Sequence, residues 1–424
     1  MLKKFIHVSG LIYAAFVILI LSGCDNRCAV EKEREYDDVL LFYAAGNNSL
    51  SSFLRGDFND LKKGYVPADG DGEDVLLAYV HLKTSDPSPA LMRLYKNRQG
   101  VVVTDTLVVY DKGTVSSSAV QLGNVLGYVK DNFHAKKYGM IFSSHSTGWL
   151  PAGYYTHEDE YENGDFPKAG LFSVSGYPQP VPYKEPEYDP SLPLTKSIGQ
   201  DAVGAASYEM ELAEFASAIP MFMDYILFDT CLMGGIEIAY ELRDVCGKIG
   251  FSQTEVLAEG YDYTTLTKHL FLNDIPRPEK VCEDFYLYYE ALSGIEQSAT
   301  ISCVDCSRLE PLAEVCAKLF ESYSASIASL DPKKVQRFYR SNYHWYYDLE
   351  SILTEAGINV SELQELKDAL DECVIYKAAT RSFMGAFNIT TFSGFSMFLP
   401  SDGGERLKEF YKTLEWNIAT RLVR

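Results

Sequence analysis

Asp224-Tyr-Ile-Leu-Phe-Asp-Thr-Cys-Leu-Met-Gly-Gly-Ile-Glu-Ile-Ala-Tyr-Glu-Leu242 is the stretch from which the rest of this 424-residue chain is read. Tyr225 to Phe228 form an apolar run too short for a helix and apolar enough for a buried strand. Ile236, Ala239 and Tyr240 then recur at helical spacing and mark the core face of a helix. Asp229-Thr230-Cys231 lies at the junction, followed by Gly234-Gly235, where the chain must turn. Open α/β sheets bind ligands beyond the carboxyl ends of their parallel strands. A helix starting just after a thiol lowers its pKa and makes thiolate available. Cys231 is therefore a candidate nucleophile. A buried apolar site is the commoner fate of a lone cysteine, and this stretch by itself leaves both readings open.

A partner stands upstream. Tyr138-Gly-Met-Ile-Phe-Ser-Ser144 is a second strand-like run, and it ends directly in His145-Ser146-Thr147-Gly148-Trp149. Parallel strands ending in His145 and in Cys231 would bring a base and a thiol to one sheet edge, as nucleophilic catalysis requires. A satisfied polar residue at a strand end is the other reading of His145. The equivalent strand-end positions of the two residues favour catalysis.

The His-x-x-Gly-Trp after an apolar strand and the Phe-Asp-Thr-Cys-Leu-Met-Gly-Gly-x-Glu block resemble the clostripain family of cysteine peptidases, which shares a clan with caspases, legumains and gingipains. The resemblance runs from about Asp38 to Pro400 and includes Tyr347-Asp348-Leu349 and Phe392-Ser-Gly-Phe-Ser-Met-Phe-Leu-Pro400. It implies an α/β fold: a caspase-like, mostly parallel sheet flanked by helices over residues 37–275. A smaller, mainly helical C-terminal region, 276–424, would contribute strands to the main sheet or beside it. Carried over, Cys231 is the nucleophile and His145 the general base, with the backbone N–H groups of Ser146 and Cys231 as the oxyanion hole. Asp229, two residues before Cys231, matches the acid at the floor of the S1 pocket, implying cleavage after Arg or Lys. Ser252-Gln-Thr-Glu255, with Gly260-Tyr-Asp-Tyr263, resembles a block that lines the substrate site. Glu255 is therefore placed with Asp229 in S1, and Glu259 and Asp262 nearby, with solvated loop acids as the alternative.

The sequence departs from the family at Ser146, where a Gly follows the catalytic His. Gly permits backbone angles and close approach that Ser resists. The favoured function is a cell-envelope cysteine endopeptidase. The rival is a lipoprotein that binds peptide or protein partners in the same cleft without turnover.

Composition sets the surroundings. The net charge of −21 argues against nucleic acid or an anionic membrane surface as a partner and is compatible with basic peptides. At the N-terminus, Lys3-Lys4 and the apolar run Leu11–Leu21 lead into Leu21-Ser22-Gly23-Cys24, which resembles a bacterial lipoprotein signal. Residues 1–23 would be removed and Cys24 lipidated, with 24–36 as a charged tether, in preference to an ordinary secretory signal or a single anchor helix. This reading places the protein on the bacterial cell envelope, outer membrane or cell surface, as a lipid-anchored monomer.

Seven further cysteines, Cys28, Cys246, Cys282, Cys303, Cys306, Cys316 and Cys373, are an odd and irregular set, a poor disulfide framework. Cys303-Val-Asp-Cys306 has no second pair to complete a zinc site, and its position in a strand reads as core. No metal site or required cofactor is read. The resemblance allows calcium assistance, although Asp69-Gly-Asp-Gly-Glu-Asp74 lacks the bidentate Glu of a calcium loop.

In chain order, strands are expected at Asp38–Tyr43, Val75–Leu82, Leu91–Tyr95 and Val101–Val109, with Asn48 or Ser49 capping a helix after the first. A helix over Ser116–Phe133 would complete a β-α-β unit ending at His145. Periodicity vanishes from Pro151 to about Ala206, and such a loop is usually a lid, a specificity wall or an activation site. The resemblance implies that this region can be cut at a basic residue during self-activation; of its Lys168, Lys184 and Lys196, Lys196 is the preferred point, between proline-rich and glycine-rich stretches. Tyr208–Ile219 reads as a helix and Gly247–Gln253 as a strand. Later helices are expected over Glu279–Leu292, Leu309–Ile327, Pro332–Tyr339 and Val360–Ala378, with strands at Ala299–Val304 and Phe392–Leu399.

Overall fold

The computed structural model describes residues 35–69, 74–84, 88–155, 157–163, 181–182, 192–193, 195, 201–203, 206–340 and 345–424. The apolar runs become a nine-stranded sheet. Its first half comprises β1 (Tyr36–Gly46), α1 (Ser51–Leu61), β2 (Asp74–Leu82), β3 (Ala90–Lys96), β4 (Val102–Val109), α2 (Ala119–Asn132) and β5 (Ala135–Ser143). The long connection carries α3 (Glu158–Asn163) and a small sheet of β6 (Val181–Pro182), β7 (Asp201–Val203) and β8 (Ala206–Tyr208). Then follow α4 (Leu212–Ser217), β9 (Met223–Asp229), α5 (Ile236–Leu242) and β10 (Cys246–Phe251).

Sheet order is β13-β11-β10-β9-β5-β1-β2-β3-β4, where β11 is Thr300–Asp305 and β13 is Val374–Ala379. Five central strands, β2, β1, β5, β9 and β10, run parallel. β3 and β4 extend one side antiparallel, and β11 and β13 extend the other. Central parallel strands are covered on both faces, which explains why their sequences are nearly continuous apolar runs. β1 is buried from Asp38 through Gly46. α2 joins β4 to β5, but β5 pairs with β1 and β9, so this crossover passes over intervening strands rather than linking neighbours.

The C-terminal region shares this sheet. α6 (Leu266–Phe271) and α7 (Pro278–Glu290) follow β10, and α7 packs across β10, β11 and β13. α8 (Leu309–Ala328) precedes β12 (Tyr347–Asp348), α9 (Leu349–Glu355) and α10 (Val360–Cys373). The chain closes with β14 (Ser382–Phe383), β15 (Phe387–Asn388), β16 (Ser396–Met397), α11 (Glu405–Tyr411) and α12 (Glu415–Thr420). Residues 36–424 form one compact unit, with one core spanning both sides of position 275.

Three expectations give way to tertiary pairing. The helix read through Ala378 ends at Cys373, because Val374, Ile375 and Tyr376 suit a sheet edge and pair with β11. Pro332–Tyr339 is helical only as a 3-10 turn over Pro332–Lys334. Beyond it the Phe338 N–H donates to the Tyr346 carbonyl at 2.9 Å and Arg337 bridges Tyr347, so an extended pairing replaces the helix. Phe392–Leu399 narrows to the two residues of β16, paired with β12.

Candidate active site

β5 and β9 are parallel neighbours, with Ser143 opposite Asp229. His145 and Cys231 each follow two residues later, so sheet register alone places them side by side beyond one edge. β1 flanks β5 on its other side, and the chain after it delivers Ser49, whose Oγ lies 3.0 Å from His145 Nε2. Sequence reasoning gave Ser49 or Asn48 to a helix cap. α1 instead begins after Leu50 without a side-chain cap, and Asn48 Oδ1 accepts the Leu50 N–H. A hydroxyl just past a strand adjoining the His strand was the signal for this contact.

Cys231 is buried, and its Sγ accepts the Val256 N–H at 3.0 Å. The next residue, Leu232, has φ +61°, a left-handed conformation uncommon for a branched side chain and typical of tight functional turns. Backbone bonds from Leu232 N to Thr254 O (2.9 Å) and from Gly234 N to Ser252 O (2.7 Å) hold that turn. α5 starts only at Ile236, with Gly235 as its cap, and helix-dipole effects fall off within a turn. The positive dipole that meets the sulfur is therefore the Val256 N–H and not the helix read from the sequence.

The departure at Ser146 changes meaning in three dimensions. Ser146 is not among the described residues with positive φ; Gly148 is, at +65°. A Cβ on Gly148 would lie 2.6 Å from the Leu232 carbonyl. The glycine that this turn requires is thus two residues further on. Ser146 Oγ lies 2.8 Å from Met233 Sδ and accepts the Gly148 N–H at 3.1 Å, so its side chain ties the His turn to the Cys turn. Trp149 anchors the same turn, buried against Phe398 and Tyr411.

The acids assigned to S1 separate. Asp229 is fully buried, and its Oδ2 accepts from Tyr263 Oη at 2.8 Å and Ser143 Oγ at 3.1 Å. Glu255, 3% exposed at its side chain, is engaged by the protein itself: Arg340 Nε and Nη2 donate to its two carboxylate oxygens at 2.5 and 2.7 Å. Its charge is already matched, unlike that of an acid awaiting a substrate cation. Glu259 and Asp262 are exposed, and Asp262 accepts from the Thr264 N–H.

Further carboxylates support the loops. Glu237, in the quoted Cys block but given no role there, accepts from the Phe398 N–H and Tyr411 Oη at 2.9 and 2.7 Å, and burial pushes its pKa up to about 7. At the neck of the long loop Glu209 accepts the Gly153 N–H and Glu211 the Ala152 N–H. Burial pushes Glu211 up to about 7 as well. A small cleft of about 70 Å³ opens beside the His turn, with Glu209, His145, Ser146, Thr230 and Met233 in its wall.

Cys246, Cys282, Cys303, Cys306, Cys316 and Cys373 are buried with free thiols. Among the described residues no cluster of three metal-binding side chains occurs. Cys24, Cys28, Lys168, Lys184, Lys196 and most of the Asp69–Asp74 turn lie outside the described residues.

A mostly parallel sheet flanked by helices is the fold of caspase-like cysteine peptidases, and here it carries His145 and Cys231 just beyond the ends of adjacent parallel strands. The clostripain family matches residues 42–160 and 185–420, and the chain belongs to that family. Its fold is similar to that of an inactive zymogen C11 protease from Parabacteroides distasonis: TM-score 0.73, 24% identity, 91% of this chain and 99% of that one covered. It is also similar to a secreted C11 cysteine protease from Bacteroides thetaiotaomicron, with TM-score 0.71, 22% identity and coverage of 91% and 100%. A C11 protease from the same organism in complex with an irreversible peptide inhibitor matches with TM-score 0.69, 23% identity and coverage of 91% and 99%. No curated protein matches the chain.

Proposed function

We propose that the protein is a cell-envelope endopeptidase that cleaves after Arg or Lys, using Cys231 as nucleophile and His145 as general base. The observation that carries this reading is the register that places the two residues at equivalent positions beyond β5 and β9. His145 takes the thiol proton and the thiolate attacks the scissile carbonyl. The oxyanion forms against the N–H groups of Ser146 and Cys231. Collapse expels the amine, protonated by His145, and leaves a thioester that water hydrolyses through the same base. Asp229, beneath Tyr263, supplies the negative charge at the floor of S1 that favours a basic P1 side chain.

Substrate joins as an added strand in this reading. Thr195 forms an antiparallel bridge with Leu257, the residue after the Val256 whose N–H meets Cys231 Sγ. Lys196 follows Thr195 in sequence, which supports Lys196 as the self-cleavage point. Cys231 is buried in the intact chain, so turnover follows opening of the site. The same burial favours a second reading, a peptide-binding member of the family without turnover.

Lipid attachment at Cys24 would hold a monomer on the envelope, with calcium as an optional aid. Among the described residues no helix is long and apolar enough to cross a membrane. Labelling with a peptidyl-Arg or peptidyl-Lys electrophile tests the proposal. Adduct on Cys231 that requires His145 and weakens in Asp229→Ala is expected. A folded protein that takes no adduct would leave the binding reading, and chain that stays intact on prolonged incubation of active enzyme would refute cleavage at Lys196.

A further inference from the structure

We propose that Arg340, contributed by the C-terminal region, is a positioning residue of the active site that clamps Glu255 and thereby holds the Val256 N–H against Cys231 Sγ. The inference rests on the reading of Cys231 as the nucleophile.

The segment after β10 has no regular secondary structure until α6, yet it delivers the N–H that meets the sulfur. Its first part is fixed from β11. Thr300 Oγ1 accepts the N–H groups of Gln253 and Thr254 at 3.1 and 3.0 Å, and Gln253 Nε2 donates to Ser302 Oγ at 2.6 Å. The next residue, Glu255, is held by the two parallel bonds from Arg340, a fork geometry that fixes orientation as well as distance. Val256 comes directly after that anchor. A shift of the Glu255 side chain therefore moves the donor on the nucleophile, while Leu257, one residue further on, is held separately by its bridge to Thr195.

The arginine is itself held by the surroundings of the His turn. Phe338 N–H pairs with the Tyr346 carbonyl, Tyr339 packs edge-on against Tyr155, and Tyr346 Oη donates to the Thr147 carbonyl. One segment of the C-terminal region thus touches the His turn through Tyr346 and the Cys side through Arg340. The guanidinium also acts electrostatically on Cys231, and a nearby cation favours thiolate over thiol. Both partners are largely removed from water, so loss of either leaves an uncompensated charge and the segment must rearrange.

The test compares wild type with Arg340→Gln, Arg340→Lys, Glu255→Gln and the double variant Arg340→Gln/Glu255→Gln. A fluorogenic Arg peptide gives kcat and KM, and iodoacetamide alkylation of Cys231, followed by peptide mass spectrometry across pH, gives the thiol pKa. Arg340→Gln is expected to lower kcat by about 10- to 100-fold with KM changed less than about threefold, because the donor and not the pocket has moved. The alkylation profile should move to higher pH. Arg340→Lys, which keeps charge but loses the fork, should recover the profile more than the rate. The double variant, free of unpaired charge, should match wild type in melting temperature and still show the kcat defect. Wild-type kcat and an unshifted alkylation profile in the double variant would overturn the proposal. Absence of peptide turnover in wild type would instead sink the peptidase reading, and the alkylation profile would still decide the clamp.

Discussion

Gly148 and Leu232 meet backbone to backbone: both have positive φ, +65° and +61°, and a Cβ on Gly148 would sit 2.6 Å from the Leu232 carbonyl. This contact closes the His turn on the Cys turn. It sets the distance between the turns that carry His145 and Cys231 beyond what strand register decides.

Gly148→Ala should accordingly separate them. The methyl meets a backbone carbonyl and not the end of a flexible side chain, and the left-handed angle adds strain. The expected outcome is a loss of about 2–4 kcal/mol in urea unfolding and at least about 100-fold in kcat/KM. A variant with wild-type kinetics would show that the two turns adjust independently.

Ser49→Ala removes the hydroxyl 3.0 Å from His145 Nε2. If that contact orients the imidazole, kcat should fall about tenfold, with the unfolding free energy changed by less than about 1 kcal/mol. Equal losses in stability and rate would instead mark Ser49 as a packing residue.

Ser146→Gly restores the residue found in the family. Because Ser146 is not left-handed and its Oγ ties Met233 to the Gly148 N–H, the change relieves no strain and removes two contacts. Peptide turnover should rise by no more than about threefold or fall slightly. A gain of about 100-fold would show that the serine is the impairment suggested by sequence comparison.

Glu237 predicts the direction of a pH effect. Its folded pKa of about 7 exceeds the ordinary 4.5, so the folded state keeps a proton that the unfolded state releases. The stabilisation is complete below pH 4.5 and is lost as pH rises towards 7, by about 3 kcal/mol for a shift of this size. Glu237→Gln keeps an acceptor for Phe398 N–H and Tyr411 Oη while abolishing the titration. Urea midpoints measured from pH 4.5 to 7.5 should fall less steeply in the variant. Part of the slope should remain, because Glu211, at about 7, and Asp348, at about 6, titrate with the same sign. An unchanged slope would mean that Glu237 ionises freely in the folded protein.

The sheet, and His145 and Cys231 as the candidate pair at its edge, are legible from local pattern alone. Tyr225–Phe228 and Met140–Phe142 are apolar without alternation, which only strands covered on both faces require, and each run leads to a residue with nucleophile or base chemistry. Local pattern does not specify what a side chain meets across the fold. Glu255 looked like an open pocket acid because nothing in its neighbourhood announces Arg340, 85 positions away in sequence. Ser49 looked like a cap because its partner lies 96 positions on. Val374–Tyr376 continued a helical pattern until β11 offered an edge to pair with. Even the glycine that matters in the His turn was settled by the approach of Leu232, an encounter between two loops that no single stretch of chain contains. Short-range periodicity follows from each segment's own backbone geometry and burial, whereas ion pairs, turn strain and donor placement depend on distant segments, so only the tertiary structure decided them.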